Sequence, residues 1–203
     1  MHNPRLVEVA AQTGLVVRAL CDTNADRVEE GKRYLQALYR EAGVGVEIDT
    51  DTDFERVVGR EDVDSVFITT YTAEHRAPTI AALAAGKQVY LDKPMATTLE
   101  DARAMMEAEA RANRPLIMGF TRRYEHSWRT ALELVRGGEI GELQTILLRS
   151  VIPYARYLQR WHRLRERSGG ALNDKVSHYF DALNWIAGSR ATTLMAMGGR
   201  ASV

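Results

Sequence analysis

The sequence predicts an α/β chain built on a doubly wound parallel sheet of the Rossmann type, and three observations carry that reading. Short apolar runs alternate with helical patterns, the links between them are brief, and several runs stop abruptly in polar or charged turns. The chain has 203 residues, 45% hydrophobic and 27% charged, enough for one ample core or two modest domains. Lys plus Arg and Asp plus Glu both number 27, so the formal net charge is zero and no overall field draws in nucleic acid or a membrane surface. Cys21 is the only cysteine, which leaves no internal disulfide and fits a reducing compartment. No apolar run reaches the ~18 residues of a membrane span, and Met1-His2-Asn3-Pro4 does not lead into a signal-like apolar core. A cytoplasmic protein is expected.

Taken in order, Asn3 and Pro4 suit the N-cap and first position of a helix that Gly14 closes. Residues 15–21 read as a short strand with Asp22 at its end, followed by a long helical pattern over 25–42. Helix, strand, acidic residue, helix is the second half of a dinucleotide-binding unit. There the acidic residue takes the ribose hydroxyls and lies ~20 residues after a G-x-G-x-x-G turn. Counting back from Asp22 puts that turn at or before residue 1, so the glycine loop and the first strand are expected to be missing. As an ordinary turn or capping residue Asp22 reads equally well.

The alternation continues with a strand at 44–48, a short helix at 53–58 and a strand at 63–69, where Val66, Phe67 and Ile68 imply burial on both faces. Thr70, Tyr71 and Thr72 make the next strand-end turn. A helix over 74–85 ends at Gly86 and leads into Lys87-Gln88-Val89-Tyr90-Leu91-Asp92-Lys93-Pro94. Pro94 cannot donate to a ladder and biases Lys93 away from helix, so the strand must stop with Lys93 at its carboxyl end, the edge where open α/β sheets bind ligands. Thr97 or Thr98 then caps a helix through 113, with Glu100 and Asp101 in its dipole-favoured first turn, and 115–120 is a further buried strand.

Beyond Phe120 the texture changes, which divides the chain into domains at 1–120 and 121–203. A helix at 127–136 stops at Gly137-Gly138, and 143–151 reads as a longer strand. Arg156, Arg160, Arg163, Arg165 and Arg167 surround Trp161 and His162 in a stretch that is either a solvated connection or a lid gripping an anionic or hydroxyl-rich ligand. Gly169-Gly170 admits a helix over 174–187, with Val176, Phe180, Leu183 and Ala187 as its buried stripe. Asp174 and His178 fall one turn apart, spaced for a carboxylate to orient an imidazole or for an ordinary surface pair. A last strand starts at Thr192.

Four stretches together resemble the Gfo/Idh/MocA family of NAD(P)-dependent oxidoreductases. They are residues 17–24, residues 75–98 with Asp92-Lys93-Pro94, Gly119-Phe120-Thr121-Arg122-Arg123-Tyr124 with Gly138-Glu139-Ile140-Gly141, and Gly169-Gly170 through Trp185 with Asp174-x-x-x-His178. The resemblance implies a Rossmann domain followed by an α+β domain with a large open sheet, here only begun, through which the complete protein would form a homo-oligomer. It implies hydride transfer between NAD(P) and a secondary alcohol of a sugar, polyol or inositol-like substrate. The catalytic roles it carries over fall on Lys93, Asp174 and His178. The cofactor-binding roles fall on Asp22, Thr69, Thr70, Tyr71, Thr72, His75, Asp92, Lys93, Pro94 and Arg122, with no metal. The family's more usual Glu-Lys-Pro is Asp-Lys-Pro here. Asp22 with no arginine beside it favours NAD over NADP, because a 2′-phosphate would meet a carboxylate. The rival expectation is a non-catalytic remnant that binds a polyol or a full-length partner; a third is the same cofactor reducing an imine or enone.

Overall fold

The computed structural model describes residue 9, residues 12–151 and residues 161–198. It has the Rossmann architecture, with its parallel strands divided between two sheets. The first holds β1 (Ala19–Cys21) and β2 (Asp49–Asp51), paired from Ala19 opposite Asp49 to Cys21 opposite Asp51. The second holds β3 (Ser65–Ile68), β4 (Gln88–Leu91) and β5 (Leu116–Met118) in that order. Among the described residues nothing pairs with the outer edge of β1 or of β3. No strand among the described residues lies between β1 and β3 to join the two sheets.

Helix α1 (Ala25–Glu41) starts where Asn24 accepts a bond from the Arg27 amide, and it buries Val28, Leu35 and Tyr39 along one stripe. Leu35 and Tyr39 meet Ile48 in a small core, and the Tyr39 hydroxyl accepts a bond from the Val17 amide at 2.9 Å, tying helix to strand entry. Helix α2 (Phe54–Val58) is capped by Asp53. Helices α3 (Arg76–Ala84) and α4 (Leu99–Ala112) cover one face of the second sheet, where Ile68, Val89 and Leu91 pack with Ala82, Leu83, Met105 and Ala108. Thr98 caps α4 through the Asp101 amide, and Asn113 closes it at φ 51°. Beyond β5 come α5 (His126–Arg136), a short α6 (Arg165–Ser168), a π-helical turn (Leu172–Val176) and α7 (Ser177–Ala187).

Several expected elements differ. The strand expected at 44–48 is extended chain whose bonds go to a side chain: the Gln36 amide donates to the Val46 carbonyl and accepts from the Ile48 amide, and ladder pairing begins only at Asp49. Phe67, expected to be buried, is 55% exposed; the helices cover the opposite face, and Phe67 stacks on Tyr90 with centroids 5.2 Å apart. Residues 143–151 and 192–198 form no strand, because no neighbouring strand among the described residues supplies a ladder for their amides, and Leu147, Val151 and Met197 lie exposed. The stripe expected to be buried on α7 is open as well. Phe180 is exposed and Ala182 is the buried residue, while Val176, Phe180 and Leu183 line a groove of ≈ 450 Å³ with Ile146, Leu147 and Leu148. The helix expected from Asn3 lies largely outside the described residues.

Candidate active site at the carboxyl end of the second sheet

β4 ends at Leu91, and the turn that follows brings chain-distant groups together. Asp92 Oδ1 accepts a bond from the Lys93 amide at 2.8 Å, the Lys93–Pro94 peptide is cis, and Ala96 is buried in the core beneath. The Lys93 side chain, 12% exposed, crosses to the π-helical turn and donates to Asp174 twice, to Oδ1 at 2.8 Å and to the main-chain carbonyl at 2.7 Å. An ammonium has three N–H donors, so these two bonds orient the third. The Asp174 carboxylate is 1% exposed; its other oxygen lies 3.3 Å from His162 Nδ1 and 3.9 Å from Lys175 Nζ. A buried carboxylate is tolerable only with such charge partners, which is why this group gathers cations around it.

The Asp174 carboxylate bonds Lys93, and no hydrogen bond from it reaches His178 Nδ1. The two residues lie on either side of the change from the π-helical turn over Leu172–Val176 to α-helix at Ser177. His178 Nδ1 is buried without a hydrogen-bond partner among the described residues, and its ring meets Phe120 edge-on at 6.2 Å. Burial, followed by the positive charges of Lys93, Arg122 and Lys175, pushes its pKa below the ordinary histidine range, with Asp92 opposing. That Lys93 acts on His178 electrostatically puts the strand-end ammonium and the late-helix imidazole in one neighbourhood.

The turn after β3 forms the facing wall. Thr69 and Thr70 are exposed, Tyr71 is half-buried and Thr72 is buried. His75, expected at the cofactor, is 1% exposed and faces inward. Its Nδ1 lies 3.1 Å from the carbonyls of Pro94 and Met95 and its Nε2 3.3 Å from that of Thr70, so it fastens the two turns from behind. Burial lowers its pKa despite those carbonyls. Pro94 is buried too. Arg122 pairs with Glu125 at 2.9 Å and lies over the rings of Trp128 and Tyr179. Asp22 is half-buried at the end of β1, with Oδ1 accepting the Asn24 amide at 2.9 Å as a turn residue would and Oδ2 carrying no such bond.

Sequence reasoning missed two contributors, Ser168 and Asn173, and named His162 without placing it beside Asp174. Ser168, fully buried, donates to the His162 carbonyl at 2.9 Å and accepts from the Gly170 amide at 3.0 Å. Asn173 Nδ2 donates to the carbonyls of Ala96 and Ser168 at 2.9 and 3.1 Å, so it joins the π-helical turn to the Lys-Pro turn. His162 reaches Asp174. The available signal was Gly169-Gly170: both adopt positive φ, and a Cβ on Gly169 would overlap the Asn173 amide. The arginine-rich stretch packs as part of the site wall, with the Arg167 guanidinium 4.7 Å from the Tyr71 ring centroid and Trp161 at 5.1 Å from the same ring. Arg163 and Arg165 are exposed, and Arg156 and Arg160 lie outside the described residues. Neither of two open clefts, ≈ 620 Å³ between α5 and α7 and ≈ 450 Å³ beside Phe180, includes Lys93 or His178. The candidate site therefore rests on donor and acceptor geometry, with cleft volume pointing elsewhere. Among the described residues no cluster of three or more metal-ligating side chains occurs, and no helix is long and apolar enough to cross a membrane.

Residues 4–120 match the family model GFO_IDH_MocA, described as an oxidoreductase family with an NAD-binding Rossmann fold, and residues 128–203 match that of the GFO/IDH/MocA C-terminal domain. The chain is 34% identical over 186 residues to inositol 2-dehydrogenase 3 of Saccharopolyspora erythraea, covering 91% of this chain and 49% of that protein. It is 33% identical over 175 residues to a 1,5-anhydro-D-fructose reductase of Ensifer adhaerens, covering 86% and 50%. A scyllo-inositol dehydrogenase from Lactobacillus casei, solved with bound NAD(H) and scyllo-inositol, superposes with a TM-score of 0.70 at 27% identity, over 91% of this chain and 53% of that one. The chain spans about half the length of the curated relatives it matches.

Proposed function

The chain belongs to the Gfo/Idh/MocA family of oxidoreductases, and we propose that it carries the cofactor half and the catalytic groups of an NAD-dependent dehydrogenase acting on a secondary alcohol of a sugar, polyol or inositol-like substrate. One observation carries the reading: Lys93 at the end of β4 is locked onto Asp174, 81 positions along the chain, within electrostatic reach of His178. The division at 1–120 and 121–203 is part of it, supported by the change in texture at Phe120 and by the limits of the two family matches.

The donor set fits a dinucleotide. Asp22 Oδ2 is free to accept from a ribose hydroxyl, and no arginine precedes or follows it, which favours NAD over NADP. Thr69, Thr70 and Tyr71 line the turn beside Lys93, with Thr72, His75 and Pro94 holding its shape from within and Asp92 and Arg122 setting the local charge. When bound, the nicotinamide supplies the hydride acceptor. The chain's own part is proton and charge control. The third N–H of Lys93 donates to the substrate oxygen and stabilises negative charge developing there. His178, neutral at pH 7, takes the hydroxyl proton, assistance typically worth ~10²–10⁴-fold. The alcohol carbon is oxidised to a ketone as its C–H pair leaves as hydride and its O–H proton goes to His178. Asp174 holds Lys93 in place.

The finer expectations follow the same reading. The complete protein acts in the cytoplasm, in keeping with the single exposed Cys21, and self-associates through its C-terminal domain, in keeping with the open apolar surface at Leu147, Val151 and Phe180. A second reading, a binding module without turnover, draws on the divided sheet. Fluorescence titration with NADH separates the two, since a saturable response supports the enzyme and none supports the module. In the complete protein Lys93→Met abolishes polyol-dependent NADH formation while NADH still binds; undiminished turnover by that variant would end the assignment of Lys93.

A further inference from the structure

We propose that Asn173 is a positioning residue of this site: its amide sets the spacing between the Lys-Pro turn and the π-helical turn, and through that spacing the place at which Lys93 is held. The proposal rests on the dehydrogenase reading for its consequence and on hydrogen bonds for its substance. Lys93 Nζ donates to the Asp174 carbonyl at 2.7 Å and to its Oδ1 at 2.8 Å. The residue just before Asp174 returns the connection, since Asn173 Nδ2 donates at 2.9 Å to the carbonyl of Ala96, in the same turn as Lys93. Residues 93–96 and 173–174 are thus joined by bonds that run in both directions. A lysine reaches its partner on a flexible four-carbon stem and follows wherever that partner moves. The Asn173 amide stands on a single methylene, so the spacing of the two turns is its to set.

The amide is held in one orientation. Nδ2 also donates to the Ser168 carbonyl at 3.1 Å, so both of its N–H groups end on carbonyl oxygens, which only accept, and the amide oxygen must face away from them. Gly169 makes the room, because a Cβ at its left-handed backbone would overlap this amide. On the other side the anchor is firm. Ala96 is buried in the core of the second sheet, and the carbonyls of Pro94 and Met95 just before it lie 3.1 Å from His75 Nδ1. Successive carbonyls of the Lys-Pro turn therefore face His75 and then Asn173. Loss of the Asn173 donors frees the turn that carries Asp174 to shift, and the acceptors of Lys93 shift with it.

Two variants separate donation from packing. Asn173→Leu keeps the volume and removes both donors; Asn173→Asp keeps the shape and turns an oxygen toward carbonyl oxygens. In the complete protein, Asn173→Leu is expected to lower kcat on the order of tenfold with KM for NAD within about twofold of wild type, since a misdirected catalytic group costs rate before affinity. Asn173→Asp is expected to lower kcat at least as far. Independently of turnover, trace labelling with acetic anhydride, read by mass spectrometry, compares the two ends of β4. Lys93 follows that strand, and Lys87 precedes it with Nζ donating to the Arg60 carbonyl at 2.6 Å. Lys93 is expected to acetylate several-fold faster in Asn173→Leu than in wild type, with Lys87 unchanged. Equal Lys93 labelling in the two proteins, Lys87 accelerating alongside Lys93, or wild-type kcat in either variant overturns the proposal. Should wild type not turn over at all, the dehydrogenase reading fails and the labelling alone decides Asn173.

Discussion

The sheet formed by β3, β4 and β5 packs on its helices through nine buried apolar residues, whereas β1 and β2 rest on α1 through three. Both pieces consist of short parallel strands, so strand chemistry does not separate them. What differs is what lies behind. Under β4 the core continues into the turn itself through Ala96, and the turn is clamped again by His75 from one side and Asn173 from the other. Asp22, at the end of β1, has one bond, to the second residue after it. On the proposed reading, the Lys93 end of the site thus stands on the more deeply buried piece and the Asp22 end on the less buried one. A site that needs sub-ångström placement of a proton relay and only hydrogen-bond reach to a ribose distributes its packing in that way.

Three measurements bear on the contrast. The largest effect is expected from truncating the core: Leu91 and Ile48 are both fully buried, so each change to Ala costs about 2–5 kcal/mol where it acts. Leu91→Ala should lower the global unfolding free energy and expose β3, β4 and β5 amides together. Ile48→Ala should speed amide exchange only in β1, β2 and α1. Equal acceleration in both sheets by Ile48→Ala would mean that the two pieces unfold as one.

Next comes Gly169→Ala, where a left-handed φ of 75° and overlap with the Asn173 amide together cost about 1–3 kcal/mol. The damage should reach the site, because Asn173 must give up Ala96 to make room. A denaturant midpoint equal to wild type would show that the Gly169 turn does not brace the Lys-Pro turn.

The smallest effect is expected from pH. Folding places His75 and His178 where protonation is harder than in the unfolded chain, His75 through burial and His178 through burial and nearby cations. The unfolded state thus binds more protons between the lowered pKa values and the ordinary value near 6.5, and stability rises with pH there. The contribution is complete above about pH 6.5 and is lost as pH falls through the lowered values. Denaturation at pH 7.5 and pH 5 should give the lower midpoint at pH 5, with loss of the second sheet leading because both histidines border it. No difference between the two would show that neither histidine resists protonation on folding.

Much of this was legible one residue at a time. Pro94 ends β4 and leaves Lys93 at its edge because an imino nitrogen cannot donate to a ladder, and Asn24, Asp53 and Thr98 cap helices because short polar side chains reach free amides. The break between the two sheets was readable from the spacing before Asp22. These are local consequences of covalent chemistry, and the chain order is enough to state them. Side-chain partnership is different. Which imidazole meets Asp174, whether Phe67 and Phe180 are covered, and whether residues 143–151 become a strand depend on groups that other parts of the chain do or do not bring alongside. A carboxylate in a low-dielectric interior takes the nearest cation whatever its sequence distance, and only the folded arrangement decided that this is Lys93, 81 positions away.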